Sequence, residues 1–147
     1  MSSVFVSGLL AGRSALVTGG GSGIGAGLAI RLAEQGARVM LVGRKQEKLD
    51  AVQRQIVAAG GVAATKPCDV RDFARVEEAV AATVAAHGGL DILVNSAAGN
   101  FLAPAATLSA NGFRTVIDID LCGTFNFCRA AFGELSKARG AVVNITA

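Results

Sequence analysis

The sequence predicts an α/β fold in which helices cover both faces of one parallel sheet. Two observations carry this. Five short apolar runs alternate with helical stretches, and the first run ends in a glycine-rich turn that opens a helix. Strands covered on both faces read as near-continuous apolar runs, as these do.

The elements follow in order. Ser14–Val17 is the first apolar run, and Gly25–Gln35 then carries helical spacing at Leu28, Leu32 and Ala33. Arg38–Val42 is the second run, followed by a charged helix over Lys45–Ala59 that Gly60 and Gly61 stop. Val62–Pro67 is the third, Asp72–Ala86 is helical, and Gly88-Gly89 stops it. Leu90–Val94 is the fourth run, Ser109–Leu135 one long helix, and Ala141–Ile145 the fifth run. Right-handed crossovers make this a doubly wound, Rossmann-type sheet in the order 3-2-1-4-5. No repeat or linker interrupts residues 1–147, so one domain is expected. The fifth strand has no helix after it, which would leave a long apolar sheet edge. A domain whose C-terminal portion is missing from this chain is therefore expected.

Composition narrows the function. Hydrophobic residues make up 52% and charged ones 17%, a globular balance rather than a disordered one. The net charge of +3 is scattered, with no basic run suited to a nucleic-acid backbone. The apolar segment Val4–Ala11 is too short to span a bilayer and reads as an N-terminal arm, so neither a membrane nor a signal peptide is expected. Cys68, Cys122 and Cys128 lack metal-ligand spacing. No metal is expected, and reduced, largely buried thiols fit a cytoplasmic setting.

The stretch Thr18-Gly-Gly-Gly-Ser-Gly-Ile-Gly25 lies between the first strand and the first helix. Gly19 permits a sharp turn, Gly23 a close approach to a diphosphate, and Gly25 a close approach of helix to sheet. The helix N-terminus then aims amide N–H groups at the anion. Gly19, Gly21, Ser22, Gly23, Ile24 and Gly25 are the candidate diphosphate residues. At the end of the second strand stands Val42-Gly43-Arg44-Lys45, with no acid, and Lys48 follows one turn on. An acid there would bind the ribose hydroxyls of NAD, whereas a guanidinium pairs with a 2′-phosphate, so Arg44 and Lys48 favour NADPH.

The long helix carries two carboxylates, Asp118 and Asp120, two residues apart and so on different faces. Asp118 shares its side with Arg114, Cys122 and Arg129 and reads as solvated and ion-paired. Asp120 shares its side with Phe113, Val116, Ile117 and Phe127. A buried carboxylate is costly unless it is partnered, which makes Asp120 a catalytic candidate. Asn100, after the fourth strand, is a candidate donor or a simple turn residue. Ser109 fits a helix N-cap as well as a binding role. His87 reads as structural, at a helix end where a positive side chain suits the dipole.

The glycine spacing, with Thr18 before it, resembles the short-chain dehydrogenase/reductase family. Cys68-Asp69-Val70, Asn95-Ser-Ala-Ala-Gly99 and Val143-Asn144-Ile145 match further motifs in the family's order. The resemblance implies that Asp69 and Val70 flank an adenine, and that Asn95, Ala97 and Ala98 line the cofactor. Two positions depart from most of the family. Asp120 stands where Asn is usual, and Thr146-Ala147 where the catalytic Ser is usual. Both departures resemble the branch of peroxisomal-type 2,4-dienoyl-CoA reductases. That likeness also covers Asn95–Leu102, Leu108-Ser109, Asp118–Asp120 and Gly123–Phe125.

In that branch an Asp works with a downstream Lys in place of Ser and Tyr. Hydride from NADPH reaches the δ-carbon of the dienoyl thioester, and a water held by Asp and Lys protonates the α-carbon to give a 3-enoyl-CoA. The resemblance places Arg44, Arg71, Phe101 and Ser109 near the acyl-CoA. It implies a homo-oligomer, a tetramer, and a peroxisomal setting in a eukaryote. The alternatives are a trans-2-enoyl-CoA or 3-oxoacyl reductase, or a non-catalytic nucleotide-binding fragment or subunit.

Overall fold

A computed structural model describes residue 6 and residues 8–146; Val4, Phe5 and Ser7 of the N-terminal arm, and Ala147, lie outside them. Five strands form one parallel sheet: β1 (Ser14–Thr18), β2 (Arg38–Gly43), β3 (Val62–Pro67), β4 (Ile92–Asn95) and β5 (Ala141–Asn144). Their spatial order is β3-β2-β1-β4-β5, the doubly wound order expected. Ser14 pairs with Arg38, Ala15 with Ile92, and Asn95 with Asn144, so the strands end nearly level. That level end lies on the reversal of strand order between β1 and β4, where ligands bind in such sheets.

Alternation along each strand divides the core into two layers. Leu16, Met40, Val42 and Leu93 point to one face, where they meet Val76 and Val80 of α3 (Phe73–His87) and Phe127 and Ala131 of α5 (Gly123–Ala138). Ala15, Val17, Val39 and Leu41 point to the other. There they meet Ala29 and Ala33 of α1 (Gly23–Glu34) and Leu49, Val52 and Ile56 of α2 (Gln46–Ala58). Phe127, fully buried, contributes on the order of 3 kcal/mol by leaving water.

The helix stops follow the glycines. Gly60 and Gly88 take positive φ of 83° and 81° just past α2 and α3, a conformation that costs glycine little. Asp72 caps α3 by accepting from the Arg75 N–H at 3.2 Å. Two expectations shift. The fourth run starts at Leu90, but β4 starts at Ile92. Asp91 intervenes: its carboxylate accepts from the Ser14 N–H at 2.8 Å and from Arg13 at 2.7 Å, capping the N-terminal end of the β1–β4 pair before the ladder begins. Burial works against that carboxylate, yet Arg13 and the Ser14 amide hold it below the usual range.

The long helix is also not uniform. It comprises α4 (Ala110–Ile117), a π turn at Asp118–Cys122 and α5, preceded by a 3-10 turn at Ala105–Thr107. His87 differs from the expectation of a dipole-bound cation. It is buried, and burial pushes its pKa below the usual histidine value, favouring the neutral ring.

Candidate active site

A cleft of about 860 Å³ opens at the carboxyl ends of the strands. Its floor is the turn after β1. Gly19 has φ +66°, and a Cβ there would lie 2.7 Å from the Ser96 carbonyl oxygen. A Cβ on Gly25 would run into the Gly19 carbonyl, so α1 begins closer to the sheet than any other residue would allow. Gly23, φ +55°, has nothing within 4 Å of where a Cβ would stand. Ser22, the N-cap of α1, makes no capping hydrogen bond with its side chain. The turn thus presents a bare backbone and unspent N–H groups at a helix start, which fits a diphosphate.

The side wall at β2 carries the charge. Arg44, Lys45 and Lys48 line the cleft, and neither Arg44 nor Lys48 belongs to any of the six ion pairs among the described residues. Asp69 and Val70, after β3, face them. The Arg71 guanidinium grips Asp69 through Nε at 2.9 Å and Nη2 at 2.6 Å, holding its carboxyl below the usual range. Arg71 is therefore engaged at the rim rather than lining the cleft. Cys68 does line it, but burial and the neighbouring Asp69 charge push its thiol to about 11, so it stays protonated at neutral pH.

The opposite wall is the loop after β4 against the long helix. Thr18 Oγ1, buried at the end of β1, accepts from the Ser96 and Ala97 N–H groups at 3.0 and 3.1 Å. Thr18 begins the glycine motif, but its partners in this tie lie 78 and 79 residues on, beyond any local pattern. Ala97, Ala98 and Asn100 reach the cleft, as does Asp120. Asp120 is half-buried rather than enclosed in apolar surroundings, and its Oδ1 accepts from the Gly99 N–H at 2.8 Å. That bond resolves the cost foreseen for a carboxylate on an apolar face. Ile119 packs so closely on Gly99 that a Cβ there would collide with it. The Thr124 hydroxyl donates to the Asp120 carbonyl at 2.7 Å.

Several expected site residues lie elsewhere. Asn95 is buried beside β5, its Nδ2 donating to Asn144 Oδ1 at 2.9 Å, so it braces the sheet instead of lining the cleft. Ser109 caps α4, its Oγ accepting from the Gly112 N–H at 3.0 Å. Phe101 rests near Gly112, half exposed and off the cleft wall. Asp118 forms no ion pair within 4 Å among the described residues. Exposed helical pairs gain little from closing, which leaves Arg114 unpaired with it. Thr146 lines the cleft at the end of β5.

The short chain dehydrogenase family model matches residues 13–147. The chain belongs to that family. It is similar to peroxisomal 2,4-dienoyl-CoA reductases, (3E)-enoyl-CoA-producing, of Arabidopsis thaliana and Mus musculus. The identities are 43% and 41%, covering 100% and 98% of this chain and 52% and 50% of those proteins. It is also 42% identical to a D-threitol dehydrogenase of Mycolicibacterium smegmatis, over 92% of this chain and 53% of that one. Among solved structures, a citronellol catabolism dehydrogenase of Pseudomonas aeruginosa PAO1 superposes with a TM-score of 0.93. It is 42% identical, over 100% of this chain and 61% of that one. The chain spans about half the length of the curated relatives it matches. Among the described residues, no helix is long and apolar enough to cross a membrane.

Proposed function

We propose that this chain forms the NADPH-binding part of a 2,4-dienoyl-CoA reductase that yields a 3-enoyl-CoA. The observation that carries the reading is one shared cleft. It holds the bare glycine turn, the unpaired Arg44 and the Asp120 carboxylate together. Sequence similarity supports the substrate but does not select it, because a D-threitol dehydrogenase is nearly as similar. Asp120 favours it over the other readings, since by family resemblance the carbonyl and enoyl reductases carry Asn there.

Bound NADPH would supply the hydride. The N–H groups of Gly21 to Gly25 would hold its diphosphate, and Arg44 with Lys48 its 2′-phosphate. Ala97 and Ala98 would give the nicotinamide side an apolar wall. Asp120, kept in place by Gly99, would hold the water that returns a proton to the α-carbon, and Asn100 would donate to the thioester oxygen as charge develops there. The acyl-CoA is the expected partner. The reading also carries the family's tetramer and, in a eukaryote, its peroxisomal setting.

Arg44→Ala tests the cofactor half of the reading. A guanidinium–phosphate pair is worth roughly 1.5–3 kcal/mol. NADPH affinity should therefore fall by about ten- to a hundredfold while NADH affinity stays level. Equal losses for both would contradict a 2′-phosphate role.

A further inference from the structure

The turn that closes the cleft beyond β3 is held by a residue outside the cleft. After the Cys68 N–H donates to the Gly43 carbonyl, Asp69–Arg71 make no further ladder bond. Their internal bonds are local: Arg71 to Asp69, and the Asp72 N–H to the Asp69 carbonyl. One distant polar contact reaches them among the described residues. Asn126 Nδ2, on α5, donates to the Val70 carbonyl at 2.9 Å across 56 residues of sequence. A carbonyl only accepts, so the amide must present its nitrogen. One turn earlier Gly123 makes room for the same residue: a Cβ there would come 2.8 Å from Val70 Cβ. Helix α5 thus seats the buried Val70 side chain with Gly123 and ties its carbonyl with Asn126.

The position of that turn gives the tie a consequence. With the diphosphate over the turn after β1 and the 2′-phosphate at Arg44 after β2, the adenosine end extends toward β3. We propose that Asn126 is a positioning residue for NADP(H), fixing through the Val70 carbonyl the wall against which the adenosine end lies. The inference rests on the nucleotide reading above. Asn126 does not line the cleft but bonds to Val70, which does, so its effect passes through Val70.

Two half-ligands test it on the full chain. 2′,5′-ADP carries the adenosine end alone, and reduced nicotinamide mononucleotide the other end. Asn126→Leu should weaken 2′,5′-ADP by about three- to tenfold, the value of one net hydrogen bond, with the mononucleotide unchanged. Asn126→Asp, isosteric but without the donor, carries the same comparison if the leucine variant does not fold. Unchanged 2′,5′-ADP binding, or equal weakening of both half-ligands, overturns the positioning role. A wild-type chain that binds neither half-ligand removes the nucleotide reading and this inference with it. A wild-type chain that binds both leaves the variants to decide the inference alone.

Discussion

Asp120 has two tasks in the structure, and two substitutions separate them. Its Oδ1 accepts from the Gly99 N–H at 2.8 Å, holding the loop that carries Asn100, while its carboxylate faces the cleft. A hydrogen bond to a charged group contributes roughly 1.5–3 kcal/mol, and the partial exposure of Asp120 puts it near the lower end. Asp120→Asn keeps an acceptor for Gly99 and removes the negative charge. Positioned proton transfer contributes about 10²–10⁴-fold to turnover, so the asparagine variant should lose at least about a hundredfold in kcat with NADPH affinity intact. Asp120→Ala loses the same turnover and also frees the loop, raising KM for the acyl-CoA by up to about tenfold. The assay is steady-state NADPH oxidation beside direct NADPH binding. An asparagine variant with near-wild-type turnover, and an alanine variant without it, would show that Asp120 is a loop latch and no part of proton transfer.

Two further outcomes follow from the packing. Gly25→Ala places a Cβ against the Gly19 carbonyl, so α1 must retreat from the sheet. Overpacking of this kind costs about 1–3 kcal/mol and should appear as a lower Tm together with weakened NADPH binding; an unchanged Tm would mean that the turn relaxes freely. His87 is buried and its pKa is depressed by that burial, so the unfolded chain takes up the proton first as pH falls. Stability due to the neutral ring is present above about pH 6.5 and is lost as pH falls through 6.5 toward the lower folded value. Thermal melts from pH 7.5 down to 5 should fall more steeply for the wild type than for His87→Gln, and parallel curves would rule the residue out.

The sheet was legible because burial on both faces leaves little room for misreading. Apolar runs such as Arg38–Val42 and stops such as Gly60 have one physical meaning each. The glycine turn was legible for the same reason, since Gly25 admits no side chain at all. What escaped the sequence depends on partners far along the chain. Asp91 looked like the inside of an apolar run, yet it is spent on Ser14 and Arg13. The bond of Asn95 to Asn144 depends on the register of a strand 49 residues on, which no local pattern encodes. The π turn at Asp118–Cys122 shifts the helical phase that set Asp118 beside Arg114 and Asp120 among apolar neighbours. Such turns recur at functional positions, and this one presents Asp120 to Gly99 and the cleft.

The central claim is that this cleft serves hydride transfer to a conjugated acyl thioester. NADPH consumption by the full-length enzyme with a 2,4-dienoyl-CoA, a trans-2-enoyl-CoA and a 3-oxoacyl-CoA, measured side by side, tests it most directly. Turnover is expected with the dienoyl-CoA alone, with a 3-enoyl-CoA as product; faster reduction of the enoyl- or 3-oxoacyl-CoA would overturn the dienoyl-CoA assignment.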